Sequence, residues 1–329
     1  MLNLERLRAL QAVSAYGSLN AAAEILHVTT SAVSQQLAKL EREIGEPLME
    51  RDGRGVRLTR AAHVLVTHTL RAMSALEEAE SELDAQRTGV AGPITVTAFA
   101  TAARGLAPRA IAGLRRKHPA LRVVFREQSD DDVFPLLERR DVDMAIEAEW
   151  FNRPLVLPDG LSKALLLDDI ADIALPSTHA RARTPVVRLA DLRDESWICW
   201  HEGTMCHDWL LHTLRGLGHR PRIVHTAAEH ATQLALVAAG LGCAVMPRMG
   251  LGPVPDGVTL VPAEPSLTRR VYAVWRTHAS KRRAIIEGVE AFQDSARALT
   301  AAMTGRPARV TSVRTTPVRA RARAAAARR

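Results

Sequence analysis

A short stretch of the chain carries small polar side chains at a spacing that suits the recognition of DNA bases. Between positions 30 and 39, hydroxyl and amide groups recur three and four residues apart, so a helix would place them on one face. Short polar side chains near the N-terminus of such a helix can reach base edges in the major groove, and a later lysine can meet a phosphate. The candidates are Thr30, Ser31, Ser34, Gln35 and Lys39.

Two residues in this region have more specific roles. The amide of Gln35 matches the pair of hydrogen-bonding groups on an adenine edge. Arg54 follows in a predicted hairpin turn, from which it would reach a phosphate or the minor groove. The alternative is that all of these are solvated side chains of an ordinary surface helix, because any short helix rich in serine and glutamine looks like this. The residues alone leave both interpretations open.

A second group of reactive side chains is formed by Cys199, His201, Cys206 and His207. Cysteine and histidine are zinc ligands, but this spacing matches no strong metal-binding pattern. Redox sensing by Cys206 is another interpretation, although no second cysteine stands at a convincing resolving position. The remaining interpretation is that the group lines a core or a cleft. We predict neither a metal site nor a cofactor.

The sequence lacks the motifs of three common kinds of catalytic site. It contains no phosphate-binding loop, no nucleophile elbow and no paired-histidine zinc protease motif. We therefore predict a binding protein and not an enzyme. A transport protein for solutes is also disfavoured, because the first residues carry charges every few positions and do not resemble a signal peptide.

The net charge of the chain does not mark a DNA-binding surface. The 329 residues carry a net charge of +8, and residues 305–329 alone hold eight arginines and no acidic residue. This Ala/Arg-rich tail is predicted to be disordered, and it either adds nonspecific DNA affinity or is dispensable. The three cysteines suit a reducing compartment, and no apolar run is long enough for a membrane span. We expect a cytoplasmic protein with no membrane partner.

Three helices and a hairpin are predicted to position the candidate DNA-binding residues. Ser18 is the expected N-cap of a helix over Leu19–Leu26, and Thr29 or Thr30 caps a third helix from about Ser31 to Ile44. A hairpin with a tight turn then completes a winged helix-turn-helix domain over residues 1–58.

A long linker helix is predicted over residues 59–88. Thr59 is its N-cap, and no glycine or proline interrupts it before about Arg87. Apolar residues along it alternate spacings of four and three, which is the seam of a coiled coil. Because one apolar seam needs a partner, we expect a second copy of the chain to pair along Leu65, Leu76 and Leu83.

Residues 89–304 alternate predicted strands and helices, which indicates a mostly parallel α/β sheet. In an open sheet of this kind ligands bind beyond the carboxyl ends of the strands. Four segments are predicted to be loops at those ends, and they are Phe99–Ala103, Gln128–Asp130, Glu147–Trp150 and Trp200–Met205.

The order of several short motifs resembles that of the LysR-type transcriptional regulators. In the first 60 residues these motifs are Leu7-Arg8-Ala9-Leu10, Gly17-Ser18-Leu19-Asn20-Ala21-Ala22-Ala23, Leu26-His27-Val28 and Ser31-Ala32-Val33-Ser34-Gln35-Gln36-Leu37. Later motifs that also resemble the family are Val142-Asp143-Met144-Ala145-Ile146 and the run from Leu236 to Pro247. The chain differs from the usual family pattern at Ser31, where proline is common, and at Gln35, where arginine is frequent.

The resemblance implies a double-stranded DNA partner and a periplasmic-binding-protein-like α/β effector domain over residues 89–304. Its halves would cover about 93–163 plus 268–302, and 164–267, with hinges near Leu161–Leu165 and Leu267–Arg269. Such proteins form a homodimer or homotetramer, and a ligand moves their halves.

The same resemblance implies an unknown small-molecule effector between the halves. Thr101 and Thr204 match positions at which the family often supplies hydroxyls and amides to an acidic effector. Glu147 would repel an anion, so a neutral or cationic ligand is the alternative. A loop-capping role without any ligand is also open. The effector-binding candidates are Thr101, Ala102, Ser129, Glu147, His201 and Thr204.

Overall fold

The computed structural model describes residues 2–52, 55–86, 89–128 and 133–304. The N-terminal head consists of three helices and a two-stranded antiparallel hairpin. These elements are α1 (Leu4–Tyr16), α2 (Leu19–Leu26), α3 (Thr30–Ile44), β1 (Met49–Asp52) and β2 (Gly55–Leu58). Arg54 and Ser129 lie outside the described residues, as do residues 305–329.

Local capping explains where the helices of the head begin and end. The Ser18 hydroxyl accepts a hydrogen bond from the backbone N–H of Ala21, which starts α2. Thr29, and not Thr30, accepts from the backbone at the start of α3. Each such cap contributes about 1 kcal/mol to helix stability. Gly45 ends α3 with a φ of 74°, a left-handed conformation that glycine adopts without strain.

The head has its own apolar core. Leu10 of α1, Leu37 and Leu40 of α3, and Leu48 before the hairpin are all fully buried in it. These side chains fix α3 with its apolar face inward, so its polar face points away from the head.

The linker helix α4 (Arg60–Ala85) begins at the predicted cap, Thr59, whose side chain accepts from the N–H of Ala62. Its two sides differ in environment. Glu77 and Ser81 are buried, and Glu77 pairs with a residue of the second domain of the same chain. Leu76 and Leu83 remain 46% and 62% exposed. The exposed side carries the two distal leucines of the predicted seam.

The second domain contains two α/β halves. Elements of the first half are β3 (Gly92–Ala98), α5 (Ala100–Gly105), α6 (Ala107–Lys117), β4 (Leu121–Glu127), α7 (Val133–Glu138) and β5 (Met144–Trp150). The chain continues through β6 (Leu161–Pro176), β7 (Val187–Arg188), β8 (Ser196–Cys199), α8 (Met205–Gly216), β9 (Arg222–Thr226), α9 (His230–Ala238), β10 (Ala244–Pro247), β11 (Val258–Arg276) and α10 (Arg283–Thr304).

The sheet is mixed, whereas the sequence predicted a mostly parallel one. Strands β4, β3 and β5 are parallel, as are β8 and β9. The two longest strands, β6 and β11, pair antiparallel with each other, and also with β10 and β5 respectively. The short β7 pairs parallel with β11. The difference arises because β6 and β11 are the segments that carry the chain between the halves.

The crossover of β6 lies later than predicted. Residues 161–167 of β6 pair with the end of β11, and Leu166 and Leu167 belong to the core of the first half. Ala171 and Ile173 belong to the core of the second half. The chain therefore crosses at residues 168–170 and not at Leu161–Leu165. In β11, Leu267 belongs to the core of the second half and Val271 to the core of the first half.

Two predicted loops are regular structure. Most of the segment Phe99–Ala103 lies in helix α5, because a run of alanines favours a helix directly after the strand. Glu147–Trp150 lies in β5, which continues because β11 pairs with it up to Trp150. Within the described residues, no helix is long and apolar enough to cross a membrane.

Candidate DNA-binding face and effector cleft

The polar face of α3 is open to solvent. Ser31, Ser34, Gln35 and Lys39 are all exposed, whereas Val33, Leu37 and Leu40 on the other face are buried. The helix thus presents a row of hydrogen-bonding groups followed by a positive charge. This arrangement fits the edge of a DNA duplex, with the amide toward the bases and the lysine toward the phosphates.

The hydroxyl at the start of α3 has a partner that sequence analysis did not single out. Thr30 donates a hydrogen bond from Oγ1 to Oδ1 of Asn20, at 3.0 Å. Asn20 is exposed on α2, so the contact ties the first turn of α3 to α2. Thr30 therefore has a structural role in the turn between the helices, and its hydroxyl is already engaged before any DNA contact.

The hairpin adds a second positive group near the head surface. Arg57 on β2 is exposed and forms an ion pair with Glu50 on β1, at 2.8 Å. Sequence analysis had named only Arg54 on this wing, from the turn. A pair between exposed side chains holds its partners weakly, so the Arg57 guanidinium is available to a phosphate.

In the second domain, a buried ion pair lies where β6 and β11 pass from one half to the other. Arg269 donates from Nε to Oδ2 of Asp169 at 2.9 Å, and from Nη2 to Oγ1 of Thr101 at 2.8 Å. The backbone N–H of Met249 donates to the other oxygen of Asp169 at 2.9 Å. All of these groups are buried. We refer to Thr101, Asp169 and Arg269 as the crossover cluster.

The crossover cluster joins the two halves. Thr101 belongs to α5 of the first half, and Met249 lies two residues after β10 of the second half. A Cβ atom on Gly250 would lie 2.1 Å from the Thr101 carbonyl oxygen, so only glycine permits this approach.

Aromatic rings surround the Arg269 guanidinium. Its central carbon lies 5.2 Å from the ring centre of Phe99 and 5.6 Å from that of Trp150. Trp150 in turn stacks on Trp209 of α8, with ring centres 3.7 Å apart. These rings exclude water from the cluster, which strengthens the interaction of Arg269 with a negatively charged group.

Close by, α9 begins with a buried histidine that sequence analysis missed. His230 is 8% exposed, and neither of its ring nitrogens has a hydrogen-bond partner among the described residues. Burial, with the nearby Arg269 and Arg104, lowers the pKa of His230 to about 3, so the ring is neutral. The Oε1 atom of Gln233, one turn later, is also buried without a partner in the described part of the chain. Buried polar atoms are normally hydrogen-bonded, so these atoms call for a partner that the described residues do not supply.

The structure places the predicted effector-binding residues on several elements of the second domain. Thr101 lies in the crossover cluster, and Ala102 is buried beside it in α5. His201 is exposed, and Thr204 caps α8 by accepting from the N–H of His207. Glu147 is buried in β5 on the face opposite to Trp150, because alternate strand residues point to opposite faces. The structure therefore separates Glu147 from the crossover cluster.

The Cys/His group does not converge either. Within the described ranges no three His, Cys, Asp or Glu side chains are placed to hold a metal ion. Cys199 is buried in β8, and burial raises the pKa of its thiol to about 12. Burial also holds the pKa of Cys243 well above its usual value. These two thiols are therefore unreactive near neutral pH, because the thiolate is the nucleophile.

A winged helix-turn-helix head, a long linker helix and a two-half α/β domain together define a regulator that combines a DNA-binding and a ligand-binding domain. Residues 4–63 match the family described as bacterial regulatory helix-turn-helix protein, lysR family, and residues 87–297 match the LysR substrate binding domain. The chain belongs to the LysR family of transcriptional regulators.

Individual relatives agree with this assignment. The chain is 28% identical to the transcriptional dual regulator GltC of Bacillus subtilis over 219 residues, which is 66% of this chain and 71% of GltC. It is 31% identical to the small neutral protease regulatory protein of Streptomyces coelicolor over 246 residues, covering 73% and 71% of the two chains. Both relatives carry the names of regulators and not of enzymes.

The fold has a solved counterpart along almost its whole length. A full-length OxyR variant from Pseudomonas aeruginosa superposes with a TM-score of 0.67 at 24% identity, covering 90% of this chain and 98% of the OxyR chain. The likeness concerns the fold: head, linker helix and two-half domain follow in the same order.

Proposed function

We propose that the chain is a sequence-specific DNA-binding regulator that acts as an oligomer and responds to a small effector bound between the halves of its second domain. The observation that carries the DNA-binding part is the exposed polar face of α3, which capping and the head core hold outward. Gln35 and Ser34 read base edges, and Lys39 and Arg57 contact phosphates. Thr30 and Ser31 start the helix at the groove.

We expect Gln35→Ala and Lys39→Ala to affect DNA binding in different ways. Loss of the Gln35 amide removes a base contact, so preference at one base pair falls by about 1–3 kcal/mol. Loss of Lys39 removes one phosphate contact, so all duplexes bind more weakly. The slope of the logarithm of the binding constant against the logarithm of the salt concentration becomes shallower by about one. The measurement is a fluorescence anisotropy titration at several salt concentrations.

The DNA for this experiment is a duplex that the protein itself selects from a random-sequence pool, together with single-base variants of it. Glu24→Ala is the matched control, because Glu24 is exposed on α2 and absent from the α3 face. If Gln35→Ala weakened every duplex equally, Gln35 would not read a base. If the parent protein selected no duplex at low salt, DNA binding itself would be refuted.

For the effector, the surroundings of the crossover cluster favour an anionic ligand, because Arg104 adds a positive charge beside the Arg269–Asp169 pair. Arg269 is surrounded by aromatic rings, Arg104 lies nearby, and the neutral His230 adds no repulsion and offers one donor and one acceptor. Glu147, the group that argued for a neutral or cationic ligand, is on the other face of β5. We therefore propose a small ligand whose carboxylate accepts from Arg269 and from the His230 ring N–H, and whose second group donates a hydrogen bond to Oε1 of Gln233.

A panel of aliphatic and aromatic carboxylates, each paired with its own amide, tests this proposal by thermal unfolding. A ligand at one hundred times its Kd stabilises the folded protein by about 2.7 kcal/mol, which raises the midpoint by several degrees. We expect at least one carboxylate to raise the midpoint while its amide does not. Equal shifts by amides or by cationic amines would contradict the anionic class.

A further inference from the structure

A turn of the effector domain contacts the DNA-binding head of the same chain. Residues 139–141, called here the docking turn, connect α7 to the segment before β5. Arg139 donates from Nη1 to the carbonyl oxygen of Ala15 at 3.1 Å, and its guanidinium lies 4.8 Å from the ring centre of Tyr16. The Tyr16 hydroxyl donates to Oδ2 of Asp141 at 2.5 Å. The last turn of α1 is therefore held by a hydrogen bond, a cation–π contact and a charge-assisted hydrogen bond.

The docking turn also holds the linker helix. Arg140 forms an ion pair with Glu77 of α4 at 3.2 Å and donates a hydrogen bond to the Met73 carbonyl oxygen. Glu77 accepts a further bond from Nε of Arg276, at 2.9 Å. Arg140 has a φ of 69°, a conformation that non-glycine residues seldom adopt, so its neighbours must hold it in place. One turn thus contacts the head and the linker helix, and Glu77 links it to Arg276 at the end of β11.

The docked head keeps its DNA-binding face free. The contacts use the C-terminal end of α1, while Ser34, Gln35 and Lys39 on α3 are exposed in the same structure. A contact that blocked DNA would cover this face. The geometry instead fits a contact that orients the head.

We propose that the docking turn fixes the direction in which each head presents α3, so that two heads of an oligomer meet two half-sites at a set separation. This goes beyond the regulator function, which requires no contact between a head and its own effector domain. Prior orientation raises the effective concentration of the second head once the first is bound. Through the docking turn, a movement of the first half of the effector domain would also be transmitted directly to the head.

Ionisation of Tyr16 reports docking directly. The chain has two tyrosines, so Tyr272→Phe leaves Tyr16 as the only one, and its absorbance near 295 nm can be followed with pH. Burial and Asp141 raise the pKa of Tyr16 to about 12, whereas Arg139 lowers it. At pH 11 about one tenth of a docked Tyr16 is ionised, against about nine tenths of a free one.

Replacing Arg139 in the Tyr272→Phe protein shifts the pKa of Tyr16 in opposite directions, depending on whether the head is released or stays docked. If Arg139→Ala releases the head, Tyr16 ionises near its ordinary pKa of 10. If the head stays docked, loss of the arginine charge raises the pKa further. We expect release. Arg188→Ala, which removes an ion pair with Asp191 in the second half, is the matched control and should leave the titration of Tyr16 unchanged.

DNA binding tests the functional part of the proposal. We expect Arg139→Ala to weaken binding to the self-selected duplex by about three- to tenfold, while affinity for a duplex cut to one half-site stays the same. Changing the separation of the half-sites by a few base pairs should lower the affinity of the variant less than that of the parent protein. Tyr16→Phe keeps the ring under Arg139 and should show a smaller loss.

Three results would overturn the proposal. The first is a Tyr16 that already titrates near 10 in the Tyr272→Phe protein, which means that the contact does not form in solution. The second is an equal loss of affinity on the single half-site and on the full duplex, which indicates damage to the head itself. The third is release of the head without any change in binding or spacing preference. Circular dichroism of each variant verifies that it is folded.

Discussion

Arg269→Ala is expected to destabilise the effector domain by about 3–5 kcal/mol. The variant leaves the Asp169 carboxylate buried with a single backbone donor, the N–H of Met249, and an unpaired buried charge is costly. It also removes the hydrogen bond that links α5 of the first half to β11. The two halves would then lose a buried polar connection at the crossover.

Tryptophan fluorescence during urea unfolding measures this effect in the right domain. All five tryptophans lie between residues 150 and 275, so their signal reports the effector domain and not the head. The expected result is a lower midpoint with a similar slope, because the surface exposed on unfolding changes little.

Arg270→Ala is the matched control for this prediction. Arg270 pairs with buried Glu149 at 2.6 Å, but Glu149 also accepts from the Tyr272 hydroxyl and from the N–H of Leu155. Loss of Arg270 therefore leaves its partner hydrogen-bonded, and we expect a cost of about 1 kcal/mol or less. Equal losses for Arg269→Ala and Arg270→Ala would refute a special role for the crossover cluster.

A second substitution distinguishes the destabilisation caused by the unpaired buried charge from that caused by the lost contacts. Asp169→Asn removes the charge and keeps an oxygen for the N–H of Met249. If the unpaired charge is the main cost, the double variant Arg269→Ala with Asp169→Asn should be more stable than Arg269→Ala alone. A double variant that is less stable than either single variant would contradict this explanation.

Leu76→Glu combined with Leu83→Glu is expected to prevent self-association along α4. The two leucines are the most exposed apolar members of the predicted seam, and each would regain about 1.5–3 kcal/mol on burial against a second copy. Because both copies carry the change, the loss for a dimer corresponds to at least about a hundredfold in the dissociation constant. The glutamates would also face each other across the seam.

Analytical ultracentrifugation and DNA titration measure the two consequences. We expect a shift toward the monomer. We also expect the variant to bind a duplex with two half-sites no more tightly than a duplex with one. Thr67→Glu is the matched control, since Thr67 is exposed on the opposite side of α4. An unchanged oligomeric state in the double variant would show that the chain associates through another surface.

The head is the part of the molecule that its sequence determined most completely. The caps Ser18 and Thr29, the terminating Gly45 and the buried row of Val33, Leu37 and Leu40 all act within a few residues of one another. Such signals can be read from a linear sequence because capping and helical periodicity are local. The same reasoning gave the exposed face of α3, and with it the candidate DNA contacts.

The candidate effector site depended on tertiary structure. Thr101 and Arg269 are 168 positions apart, and they meet only because β11 lies beside β5 in the sheet. Local patterns do not encode which strands pair or where a strand passes from one half to the other. For this reason the sequence placed a hinge too early, took Glu147 for a loop residue and missed His230.

The contact between the head and its own effector domain could not be predicted from the sequence either. Tyr16 and Asp141 are ordinary residues in their own segments, and they are brought together across 125 positions by the length and direction of α4. The sequence alone therefore determined that the chain carries a winged head, a long linker helix and an α/β effector domain. Tertiary structure decided which side chains close the cleft and which hold the head, because both depend on packing between distant segments.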